Sequence, residues 1–218
     1  MLGVSVFMAR TNRVVFRVFV DLFMNQSVSA KQLRPLVQGL CKKGNYQDAS
    51  RLVMGFMEKG YVDYDAADLC SGLAREKNNI PLAHALANLA IKMAPKNWRG
   101  WQLSYQAHHA DAHWAQARKS LNKIAKLSPE VNAEHYLAKS EALERLFRPD
   151  EALACLAELE AIGAQSVETR MWLLKVNILS QQKCYEEISA ILPAWLETVQ
   201  EDRYVASAWK VLARALDT

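Results

Sequence analysis

Residues 97–129 decide how the chain is read: Asn97-Trp98-Arg99-Gly100-Trp101-Gln102-Leu103-Ser104-Tyr105, then Trp114-Ala115-Gln116-Ala117, then Leu121 and Ile124, closing on Leu127-Ser128-Pro129. The spacing predicts two short amphipathic helices joined by a tight turn. Trp101 is an aromatic early in the first helix, Ala117 is a small residue inside the second, and Pro129 stops it. Thirty-four residues before Pro129 stands Pro95; the same step leads from Ala117 to Ala83 and on to Ala49. Leu121, Ala87 and Val53 keep that interval too. A helix pair recurring at a fixed step predicts that each copy hides its apolar face against the next.

Composition agrees. The 218 residues are 51% hydrophobic and 23% charged, the usage of a folded rather than a disordered chain. Gly (8) and Pro (6) are scarce, and no clear period-2 run follows residue 26, so the expected class is all-α. A net charge of +4 falls well short of the dense basic stripe that by itself marks a nucleic-acid binder. Cys41, Cys70, Cys155 and Cys184 form no Cys-x-x-Cys pair and have no histidine at metal-ligand spacing. They read as small buried or half-buried thiols in a reducing compartment. The expected location is cytoplasmic, with an organelle such as the mitochondrion, or the inner face of a membrane, as alternatives.

Residues 1–26 differ from the rest. An apolar start is followed by Arg10, Arg13 and Arg17, with Asp21 as the one acid. As a helix, Arg13, Arg17 and Asp21 share a stripe. The segment is too short and too interrupted by arginine to span a bilayer. Four readings stand: a helix that caps the first repeat or makes a dimer contact, a membrane-surface helix, an arginine-rich organellar presequence, and a β-strand.

Residues 27–218 then read as one repeat domain. Its units are expected at 30–63, 64–97, 98–131, 133–166 and 169–202. Turns are expected at Gly44-Asn45, Lys77-Asn78-Asn79, Arg148-Pro149-Asp150 and Cys184-Tyr185-Glu186-Glu187. Ala49, Ala83, Ala117 and Ala152 would let the helices of a pair approach closely, while Trp101, Tyr136 and Trp172 fill the space between units. A last helix over 203–216 would cover the final repeat, with Ala208, Trp209 and Leu212 turned inward.

This order of features resembles the tetratricopeptide repeat over residues 30–202. Units three and five carry it best; unit two has Ala67 in place of the early aromatic, and unit four lacks the closing proline. The resemblance implies a right-handed superhelix, an α-solenoid of about five helix pairs with a terminal capping helix. It implies a non-catalytic module (scaffold, adaptor or chaperone-like subunit) that holds a peptide or protein partner. Unit one also resembles a pentatricopeptide repeat, through Leu36-Val37-Gln38-Gly39-Leu40-Cys41-Lys42-Lys43-Gly44, Ala49, Leu52 and Met57-Glu58-Lys59-Gly60. That family binds single-stranded RNA, so an RNA-binding helical-repeat protein is the alternative, although a base-by-base code needs several adjacent units of one type. An accessory subunit of a larger enzyme or secretion complex is a third reading.

In such arrays the first helix of each pair lines the concave face. Repeat position places Lys31, Arg34, Gln38 and Lys42 there from unit one, and Asp65, Asp68, Arg75 and Glu76 from unit two. Unit three adds Arg99, Gln102, Gln106 and His109, and the last two add Glu134, Glu141, Glu144, Arg170 and Asn177. Lys31, Arg34, Gln38, Lys42, Asp68, Arg75, Arg99, Gln102, Gln106, His109, Glu141 and Asn177 are the expected partner contacts, with arginines holding carboxylates. Some relatives of this type clamp a C-terminal carboxylate with Lys and Asn; Arg34, Gln38 and Arg99 suit that role, whereas Leu69 and Leu103 do not. His109 and His113 are four apart, but a turn is expected between them, so no metal is assigned. No phosphate loop, hydrolase elbow or dinucleotide fingerprint occurs, and neither a catalytic residue nor a cofactor is assigned.

Overall fold

The computed structural model describes residues 30–128, 132–163 and 167–198, together with residues 206, 210 and 213. These form ten α-helices, with no strand among the described residues: α1 (Ala30–Lys42), α2 (Tyr46–Glu58), α3 (Tyr64–Glu76), α4 (Ile80–Met93), α5 (Trp98–Ala110), α6 (Trp114–Leu127), α7 (Ala133–Arg145), α8 (Pro149–Ile162), α9 (Glu168–Gln181) and α10 (Tyr185–Thr198). Residues 1–26 lie outside the described residues, and so does the expected last helix at 203–216 apart from helical residues 206, 210 and 213. None of the described helices is long and apolar enough to cross a membrane.

The chain separates into two compact units, Met1–Asp111 and Ala112–Thr218. Within the first, each helix from α1 to α5 packs on the next, and α1 also meets α3, α2 meets α4, and α3 meets α5. Odd helices thus make one layer and even helices the other, the stacking of a helical solenoid. Within the second, α6 to α10 pack successively and α7 meets α9.

Ala49, Ala83, Ala117 and Ala152 are fully buried, one in each of α2, α4, α6 and α8. Around them the larger apolar residues close the core. In the first unit Leu33, Val37, Leu52, Val53, Met57, Leu86 and Leu103 form one cluster. In the second, Leu137, Leu143, Leu156, Leu159 and Ile178 do so, with Tyr136 and Trp172 packed against them. Each such side chain contributes on the order of 1.5–3 kcal/mol by leaving water. Trp101 is half-buried, and its indole N–H donates to the Pro95 carbonyl at 3.1 Å. Gly100 lets the first turn of α5 sit on α4, because a Cβ there would stand 3.3 Å from Ile91.

The turns keep the repeat frame in backbone form. Gly44, Asn78, Ala112, Phe147 and Lys183 each follow the first helix of a pair with φ between 53° and 77°. Beyond them, the N–H groups of Asn45, Asn79, Arg148 and Cys184 donate to carbonyls five residues back, at 2.7–3.0 Å. These bonds satisfy a late carbonyl of α1, α3, α7 and α9 and hold Gly44, Asn78, Phe147 and Lys183 in place. The helix starts repeat as well: Asp63, Asn97 and Asn132 cap α3, α5 and α7 with side-chain oxygens accepting backbone N–H groups.

Two turns differ from the expectation. In the fourth pair the turn is Leu146-Phe147-Arg148, and Pro149 is already the first residue of α8, where its missing N–H has no helical partner to lose. In the fifth the turn is Gln182-Lys183-Cys184, and Glu186 and Glu187 lie in the first turn of α10, where acidic charge suits the helix dipole. His108 and His109 belong to the last turn of α5.

Phe147 is 90% exposed in a conformation that L side chains resist. Phe147→Gly should therefore raise stability by up to about 1 kcal/mol. Ala117→Leu, which overfills a closed position, should lower it by about 1–3 kcal/mol. The midpoints of urea unfolding followed by circular dichroism check both.

Candidate functional site

The outward side of the odd-helix layer in the first unit gathers most of the predicted residues. On α1, Arg34, Gln38 and Lys42 stand four residues apart and are exposed. On α3, Asp65, Asp68 and Leu69 are exposed, and on α5, Arg99, Gln102 and Gln106 are partly so. Lys31 lies in the first turn of α1; its side chain is outside the described residues.

Charges on this layer are joined across helices. Arg34 donates through Nε and Nη2 to both carboxylate oxygens of Asp63, at 3.3 and 3.1 Å. The same Nη2 reaches Asp65 Oδ2 at 2.8 Å. Asp65 in turn pairs with Arg99. One ladder, Arg34–Asp65–Arg99, thus ties α1 to α3 and α3 to α5. The three side chains keep 50%, 45% and 40% of their surface open. The hydrogen bond and charge of Arg99, with Arg34 adding less, hold the Asp65 carboxyl below the usual carboxylate range. The Arg99 guanidinium also lies over the Tyr64 ring, 5.3 Å from its centre. Further along, Arg75 donates to Gln106 Oε1 at 3.1 Å.

Asp63 has two tasks. Its side chain is 4% exposed, and besides accepting from Arg34 it caps α3 by accepting the N–H groups of Asp65 and Ala66, both at 3.1 Å. Sequence reasoning passed over it; the 34-residue step from Asp63 to Asn97, the cap of α5, was the available signal.

His109 is exposed at the end of α5, its ring edge-on to Tyr105 at 5.7 Å. Leu103 is 2% exposed and faces the core, whereas Leu69 is 37% exposed and offers an apolar contact. The second unit has its own cross-helix pairs. Arg170 of α9 donates to both Glu134 oxygens of α7 at 2.9 Å and stands 3.6 Å from Glu141. Gln181 donates to Glu144 at 2.8 Å, and Asn177 is exposed. Of the thiols, Cys70 and Cys155 are buried, Cys41 and Cys184 half-buried. Burial pushes Cys70 up to about 12, which makes it a poor nucleophile at neutral pH.

No family model matches the chain, and no curated protein does. Solved structures do. MamA MSR-1 C2 superposes with a TM-score of 0.55 at 20% identity, over 84% of this chain and 96% of that one. The fold is a tetratricopeptide-like helical repeat. MamA AMB-1 P212121 gives 0.55 at 18% identity, covering 84% of this chain and 89% of its own. A point mutant of MamA gives 0.53 at 19%, covering 84% and 95%. Likeness at these identities carries the architecture and assigns no site residue.

Asp63→Ala removes a helix cap and the partner of Arg34 together. It should lower stability by about 1–2 kcal/mol, whereas Asp68→Ala, at an exposed position of the same helix, should leave it within about 0.5 kcal/mol. Paired chemical unfolding curves separate the two.

Proposed function

We propose that this chain is a non-catalytic protein-interaction module and that the odd-helix face of its first unit, α1, α3 and α5, holds an acidic peptide segment. The carrying observation is the Arg34–Asp65–Arg99 ladder, whose guanidiniums are fixed in place by one carboxylate yet half open to water. Each planar fork has donors beyond those used by Asp63 and Asp65. Gln38 and Gln102 lie along the same rows and can donate to or accept from an extended backbone. Leu69 adds an apolar contact between the two arginines' helices. Such a face selects a segment carrying an acidic side chain next to an apolar one. Resemblance to a repeat family used for scaffolding supports the same reading.

The test is selection of peptides from a random displayed library on the intact chain, followed by fluorescence anisotropy with the enriched peptide. Arg34→Glu and Arg99→Glu should each weaken binding about tenfold or more, and Leu69→Asp should do the same. Glu186→Lys, in the second unit, should leave it unchanged. Equal affinity for all variants would move the binding surface off these helices. Loss of captured partners on nuclease treatment, with a steep salt dependence, would instead favour RNA.

A further inference from the structure

α1 and α3 pack side by side in the first unit, and two contacts fix how they are aligned. Arg34 of α1 meets Asp65 of α3 at 2.8 Å, and nearer the far end of α1 the Cys41 and Cys70 thiols share a hydrogen bond. The two offsets, 31 and 29 residues, are nearly equal, so the helices run in the same direction and in step. The helical rise then places Gln38 about 6 Å beyond Arg34, level with Leu69, and Lys42 about 12 Å beyond it, level with Leu73. Arg34, Gln38, Lys42 and Leu69 are exposed and Leu73 is half-buried. α1 carries Lys31, Arg34 and Lys42 and no acid.

We propose, resting on the odd-helix face as the binding face, that the segment held there is extended and carries two acidic residues four apart with an apolar residue midway, the second acid meeting Lys42. An extended chain turns alternate side chains to the same side and rises about 3.3–3.4 Å per residue, so residues four apart stand about 13 Å from each other. That matches the step of about 12 Å from Arg34 to Lys42. One acid then reaches the half-open Arg34, the middle side chain meets Leu69, and the other acid reaches Lys42. The Gln38 amide, between the two cations, can pair with the segment's backbone. A helical segment would need acids about eight residues apart to cover the same distance. One exposed ion pair contributes little by itself, so selectivity comes from meeting both cations at once.

The experiment measures fluorescence anisotropy of labelled peptides on the intact chain, starting from Ser-Glu-Ser-Leu-Ser-Glu-Ser with both ends capped. Changing either Glu to Gln should weaken binding about fivefold, the scale of one exposed ion pair. Moving the second Glu two residues nearer or farther should do the same. Lys42→Ala should weaken the two-acid peptide by a similar factor and erase the advantage of its second Glu. Lys119→Ala, at an exposed position of the second unit, should change nothing. Each variant's helix content is checked by circular dichroism. Equal affinity for one-acid and two-acid peptides, or for every spacing, overturns the proposal. So does unchanged binding in Lys42→Ala, or tighter binding of a helical peptide with acids eight apart. Binding by none of these peptides overturns it as well, whereas the face itself falls only if Arg34→Glu and Arg99→Glu leave the library-selected peptide bound as before.

Discussion

Two helices can share a core only if their backbones come close enough for side chains on both to touch at once. In this protein small residues serve that need: Ala49 and Ala83 in the first unit, and Ala117 and Ala152 in the second, are each wholly buried. Once the crossing is fixed, the leucines above and below it meet partners in the same pair and in the next one. Burial then becomes a property of the stack. No single pair, with about 26 helical residues, covers its own apolar face, as is general for repeats of this kind.

The polar side follows from the same geometry. Stacking brings the first helices of neighbouring pairs side by side, so their outward rows lie within reach of one another. Arginine bridges those rows in both units, Arg34 and Arg99 on Asp65 in one and Arg170 on Glu134 in the other. Exposed pairs of this kind contribute little to stability, typically up to about 1 kcal/mol. Their larger effect is positional. They fix long side chains that would otherwise sample many rotamers, and so prepare a surface with defined donor directions. Asp63 is the exception in energy, since it is buried and serves a helix terminus at the same time.

Much of this was legible in the sequence. Ala117 and its forerunners at a step of 34 repeat because backbone geometry repeats. Turn chemistry was less legible. Gly44 and Asn78 advertise a left-handed residue, but Phe147 and Lys183 do not, because the helix-end hydrogen bonds impose that conformation without help from composition. The Pro149 reading went astray for a related reason: proline breaks a helix from inside yet suits its first position equally well. The pairing of Arg34 with Asp63 and Asp65 was hidden altogether. Repeat position aligns Arg34 with Asp68, and only the actual tilt of α1 against α3 decides which acid it meets.

The double duty of Asp63 has a consequence for any visitor to this face. A carboxylate brought to Arg34 would find its guanidinium already shared between Asp63 and Asp65, and would have to use the donors those two leave open. Its gain there would be smaller than at a bare charge, while Asp63 keeps its hold on the end of α3.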